Sequence, residues 1–241
     1  MKKVMTLGLL ALFTVSCTAQ CGRRLKGNGN VITLERSVGE YDAIAISGWF
    51  DVNLVDGKEG ELTLEGEENL LEYLKTEVKN GKLVIKTEKG VNLKPSNWKG
   101  GIIITVPVQS VSYVALSGSG DIVGKTTIKA SNFETAMSGS GDITLDIQAE
   151  SVEAALSGSG DIRLKGKAEN LQVSVSGSGD VEAYGLEAEN VEANVSGSAD
   201  IQVTANEKIM ARVSGSGDIK YRGNPQKVDT KTSGSGDISK G

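Results

Sequence analysis

The chain has 241 residues, enough for one or two domains, with aromatics at only 4% and 31 glycines; this is poor material for a thick globular core and suits a thin interior of Val, Ile, Leu and Ala. Its net charge is −5, and an acidic body lacks the basic stripe that phosphate backbones need, so nucleic acid is excluded as the main partner. Histidine is absent and both cysteines lie near the N-terminus, which excludes Ser-His-Asp and Cys-His catalysis, His-containing metal sites and a cysteine zinc cluster.

Met1-Lys2-Lys3 precedes the apolar run Val4 to Val15 and the small-residue exit Ser16-Cys17-Thr18-Ala19-Gln20. This order makes residues 1–19 a secretory signal, too short to remain as a membrane span. Two cleavage readings stand side by side. Val15-Ser16-Cys17 resembles a bacterial lipoprotein box, with the signal ending before Cys17, Cys17 lipidated and the chain anchored in the outer membrane; Thr14 departs from the aliphatic residue usual at the first box position. Ordinary cleavage after Ala19 leaves Gln20 first. The first 19 residues carry Lys2 and Lys3 and no acid, so 24 basic and 31 acidic groups remain, a net charge of −7.

Residues 31–109 read as an irregular β-rich part that caps or extends the C-terminal half. Ala43 to Ile46, Asp51 to Val55, Glu61 to Leu64 and Lys82 to Lys86 are apolar or alternating runs bounded by glycine, the pattern of short strands. Ser47-Gly48-Trp49-Phe50-Asp51-Val52 is a degenerate copy of a phrase repeated later, with two aromatics in place of Ser-Gly. Leu70, Leu71, Leu74 and Val78 have helical spacing, so Glu67 to Val78 is expected to be a helix or a long turn. Lys89 to Gly101, with Pro95 and Trp98, reads as a loop, and Ile102 to Val106 as a buried strand ended by Pro107.

Residues 110–241 are organised by a repeat. Ser-Gly-Ser-Gly-Asp begins at Ser117, Ser138, Ser157, Ser176, Ser214 and Ser233, and at Ser196 with Ala199 for the second glycine; the spacings are 21, 19, 19, 20, 18 and 19. A period near 20 suits one coil of a β-solenoid. The predicted fold is therefore all-β: a parallel β-helix with about 19–20 residues per coil. Each unit alternates apolar and polar residues through the phrase, as in Val152, Ala154, Leu156, Gly158, Gly160, Ile162 and Leu164. If the strand ran straight, both glycines would face inward, and the serines and aspartate outward. Stretches such as Gln148 to Glu150 and Glu187 to Asn190 would form the turns. Stacked at about 4.8 Å, seven coils make a rod roughly 30–35 Å long. The last unit places Thr230 and Thr232 at inward positions, the polar composition expected of a capping coil.

Stacking brings Asp121, Asp142, Asp161, Asp180, Asp200, Asp218 and Asp237 into one ladder. Unit charges about 4.8 Å apart repel by roughly 1 kcal/mol per pair in water, so something must offset that cost. One reading is hydrogen bonding of each carboxylate to backbone N–H groups or serine hydroxyls. A second is Ca²⁺ between coils, held by Asp and Ser oxygens. The third is a carbohydrate- or protein-binding face. No other cofactor and no catalytic residues are indicated: the ladder is regular, whereas glycan-cleaving sites need clustered acids in a groove. Arg163, Lys165, Arg212 and Arg222 read as isolated on solvated faces. Trp49, Trp98 and Tyr73 fit either a sugar-stacking platform or a thin core.

The leader, Tyr41-Asp42-Ala43-Ile44 before Ser47-Gly48, the strand near Ile102 to Val106 and the repeated Ser-Gly-Ser-Gly-Asp together resemble the putative auto-transporter adhesin "head GIN domain" family of Bacteroidetes-type bacteria, over about residues 38–225. The resemblance implies a right-handed parallel β-helix and an exported, surface-attached protein with an adhesive role, and no catalytic residues. No translocator barrel follows Gly241, so a self-contained autotransporter is not expected. Three functions follow in order: a non-enzymatic adhesin or binding module of the cell envelope or surface, with an unidentified glycan or protein ligand; a periplasmic structural or envelope-maintenance lipoprotein; and a polysaccharide-acting β-helix enzyme. They put the chain at the outer membrane and cell surface, or in the periplasm.

Overall fold

The computed structural model describes residues 22–97 and 101–241. The signal readings, Cys17 and Cys21 lie outside these residues, as does Trp98. Long strands form the body: Ile122–Gly139, Ile143–Gly158, Ile162–Gly177, Val181–Gly197 and Ile201–Gly215. Each is nearly one coil, and each pairs in parallel with the next, so that the first serines stack from Ser117 through Ser138, Ser157, Ser176, Ser196 and Ser214 to Ser233. This is the expected β-solenoid, of about seven turns.

Alternation within the coils fills the interior with continuous rows. Ile122, Ile143, Ile162, Val181, Ile201 and Ile219 form one; Leu116, Met137, Leu156, Val175, Val195 and Val213 form another, all at 3% exposure or less. Burying each such side chain contributes about 1.5–3 kcal/mol. One inward position breaks the apolar pattern: the Thr135 hydroxyl is fully buried without a hydrogen-bond partner.

The strands do not run straight through the repeated phrase, as the alternation alone implied. They end at its first glycine, where the backbone turns: Gly118, Gly139, Gly158, Gly177, Gly197, Gly215 and Gly234 have φ between 130° and 153°, a region open to glycine and closed to residues with a Cβ. This glycine is partly buried, and exposed in the last coil, and the inward position belongs to the second one. There the constraint is distance, since a Cβ at Gly141 would overlap the carbonyl oxygen of Gly120 in the previous coil. Ala199, with 0% exposure, carries a methyl at this inward position, where φ is not positive.

Ala43–Gly48 and Asp51–Asp56 make the coil that precedes the repeats, although some 55 residues intervene in the chain: Ser47 lies beside Ser117, and Val52 beside Ile122. Phe50 occupies the second-glycine position and is buried. Beyond this coil, Lys82–Thr87 and Ile103–Val108 still pair in parallel. The next strands do not. Leu74–Lys79 runs antiparallel to Lys82–Thr87, Glu61–Glu67 to Ile103–Val108, and Val31–Ser37 to Glu61–Glu67. The helix expected over Glu67 to Val78 is only Glu68–Leu71; Leu74 and Val78 belong to a strand, because hairpin pairing with Lys82–Thr87 outweighs a helical spacing of four apolar residues. The expected loop at Lys89 to Gly101 holds a strand, Val91–Lys94, paired with Arg23–Lys26. At the other end Lys227–Gly234 is exposed throughout, and Thr230 and Thr232 with it.

Candidate functional site

The repeated phrase builds a hydrogen-bonded seam along the solenoid. The second serine's N–H donates to the first glycine's carbonyl in the preceding coil, as from Ser140 to Gly118 at 2.9 Å. Two residues on, the aspartates link to one another. The backbone N–H of Asp142 donates to Asp121 Oδ1 at 2.9 Å, that of Asp161 to Asp142, of Asp180 to Asp161, of Asp200 to Asp180, of Asp218 to Asp200 and of Asp237 to Asp218. The series starts one coil earlier, where Asp121 N–H donates to Asp51 Oδ1 at 3.2 Å. In the opposite direction, each aspartate carbonyl accepts the N–H that follows the aspartate of the previous coil, as from Ile122 to Asp142 at 2.8 Å.

One oxygen of each linked carboxylate is thus committed to a backbone donor, and charge-assisted bonds of this kind offset the repulsion along the row. Repulsion is relieved further in the middle. Arg163 is not isolated: its guanidinium lies 3.0 Å from Asp142, 2.7 Å from Asp161 and 3.4 Å from Glu182, and the hydrogen bond to Asp142 holds its pKa above the usual arginine value. Lys165 meets Asp146 at 3.3 Å, Arg212 meets Asp229 at 2.7 Å, and Arg222 stacks 4.0 Å from the Tyr184 ring. All four cations therefore have partners. Among the described residues no group of three or more Asp, Glu or Cys side chains is arranged to hold a metal ion. Trp49 and Tyr73 are partly buried and pack against the core.

The structure adds two grooves that reading the repeat for its inward residues missed. One, of about 990 Å³, runs beside the first-serine ladder. Its floor is the outward row two residues before that serine. Val84, Ala45, Ala115, Ala136 and Ala155 stand in register on successive strands. The row continues through Ser174 and Asn194 to Arg212 and Lys231. The sequence signal was present, but only as a column read down the units. The second groove, of about 520 Å³, follows the next corner. Asn132, Ser151, Asn170 and Asn190 line it in register, and Asn190 Nδ2 donates to Asn170 Oδ1 at 3.1 Å.

The family model "Putative auto-transporter adhesin, head GIN domain" matches residues 40–225. The crystal structure of a putative adhesin from Bacteroides fragilis is similar at 25% identity and a TM-score of 0.85, covering 90% of this chain and 99% of that one. A putative lipid binding protein from Parabacteroides distasonis is similar at 27% identity and a TM-score of 0.75, covering 91% and 100%. A putative adhesin from Parabacteroides merdae, at 20% identity and a TM-score of 0.71 over 91% and 99%, shares the fold. No curated protein matches.

Proposed function

Because the chain belongs to the putative auto-transporter adhesin, head GIN domain family, we propose that it is an exported, non-enzymatic binding module of the cell envelope, displayed at the surface by a lipid on Cys17. The observation that carries this reading is the outer surface of the solenoid. Serine, aspartate and asparagine rows repeat at strand spacing on a frame whose backbone bonds are closed internally, so a rigid array of donors and acceptors faces outward. Such an array suits multivalent contact with a glycan or protein, each contact weak and the sum strong. The name of one relative, a putative lipid binding protein, supports lipid as a further ligand class for such a module. A second reading, an envelope-maintenance lipoprotein kept on the periplasmic side, draws on the Val15-Ser16-Cys17 box.

Antibody labelling of intact and permeabilised cells separates the two. Labelling of intact cells supports surface display. Labelling only after permeabilisation overturns it and leaves the periplasmic reading. Cys17→Ala should release the protein from the membrane fraction, and unchanged fractionation would remove the lipid anchor.

A further inference from the structure

The floor of the larger groove changes character along its length. Five floor positions, from Val84 through Ala45, Ala115 and Ala136 to Ala155, are aliphatic, with Tyr113 and the serine ladder from Ser47 to Ser157 along the groove edge, and at strand spacing the five span about 19 Å. Half the hydrocarbon thickness of a bilayer, about 15 Å, is the reach of one acyl chain. The next two rows are Ser174 and Asn194, polar and uncharged. The last two are Arg212 and Lys231. Arg212 bonds the Asp229 carboxylate at 2.7 Å and the carbonyls of Ala211 and Asp229, and Glu192 accepts from Asn194 at 3.2 Å, so the cation this end offers a ligand is Lys231.

We propose that this groove binds a single-chain anionic lipid. The acyl chain lies over the alanine rows, the polar junction over Ser174 and Asn194, and a monoanionic phosphodiester head against Lys231. The match is one of charge and polarity in sequence, tail to head. An uncharged chain would leave the cationic end unused, and a hydrophilic polymer would leave the methyl floor against water. The proposal rests on reading this chain as a binding module and assigns, among the ligands named for it, the kind of lipid and the groove that holds it.

The test is titration of the full mature chain with oleoyl lysophosphatidylglycerol below its micelle concentration, alongside monooleoylglycerol, which has the same tail and no phosphate. Saturable binding of one lipid per chain is expected, at least tenfold tighter for the charged probe. Ala136→Asp should weaken it at least tenfold with an unchanged melting temperature, since the row is outward and accepts polar residues in other coils. Ala155→Asn, which copies the natural Asn194 two coils away, serves if that variant is unstable. Lys231→Glu should remove the preference for the charged probe. Absence of saturable binding, equal affinity for the two probes, or full affinity in a folded floor variant would each overturn the proposal. Surface labelling with no lipid binding overturns the lipid assignment alone. Lipid binding with labelling only after permeabilisation overturns surface display alone.

Discussion

The repeat coils and the N-terminal strands close the same kind of sheet by different means. In the coils, corner polar groups are satisfied by short contacts repeated at every turn, the Gly–Ser and Asp–Asp links. In the N-terminal strands the work falls to single long side chains. Arg36 donates to the carbonyls of Leu74 at 2.7 Å and Leu71 at 3.2 Å, and the Tyr41 hydroxyl to Pro107 at 2.6 Å. Glu59 accepts from Gln109 and Ser110. Glu67, 2% exposed, accepts from Gly29 and Ser96, both at 2.7 Å. The coils spread their polar closure over many equivalent bonds; the N-terminal strands concentrate it in a few irreplaceable ones.

The comparison yields predictions that grow smaller as they grow more specific. Leu156→Asp puts an unpaired charge into an interior shared by consecutive coils and should cost about 4 kcal/mol or more; an unchanged melting temperature would break the inward assignment. Gly158→Ala meets both a φ of 153° and the Gly139 carbonyl and should cost about 3 kcal/mol in denaturant titration. Gly160→Ala, at the position where another coil carries Ala199, should cost clearly less. Equal losses would show that conformation does not distinguish the two glycines.

Glu67→Gln tests the concentrated side, with an expected loss of about 2 kcal/mol at neutral pH. Burial alone would push this carboxyl up, but the N–H groups of Gly29 and Ser96 outweigh it and hold the pKa below 4.5. The unfolded chain therefore binds the proton more readily. The stabilisation is complete above about pH 4.5 and is lost as pH falls through the lower folded value, so wild type and variant should converge in acid. Parallel curves would remove the charge from the explanation. Thr135→Val should raise stability by about 1 kcal/mol by removing a buried hydroxyl with no partner. The smallest effect belongs to the ladder. Asp200→Asn keeps the acceptor for Asp218 N–H and removes a repelling charge, so stability should change by about 0.5 kcal/mol or less. EDTA should leave the melting temperature unmoved, and a marked drop would assign calcium to the ladder.

The coils were legible because their period and alternation are set by chemistry that recurs in every unit; Leu156 and Val175 face inward as their spacing required. Less legible was the split between the glycines, since a positive φ and a close approach leave the same letter in the sequence. Leu70, Leu71, Leu74 and Val78 misled because a hairpin with Lys82–Thr87, set by distant pairing, overrode local spacing. The grooves went unseen because their floor residues, such as Ala136 and Asn194, are ordinary within any one unit.

The identical corners carry one further consequence. A coil displaced by a whole unit would find the same Gly–Ser and Asp–Asp partners waiting, so the seam by itself is degenerate. What distinguishes one coil from the next is the interior, where Phe133, Val152, Leu171, Val191 and Ile209 follow one another in register with different volumes. The varied core acts as an address, and the uniform corner as the fastening that any address can use.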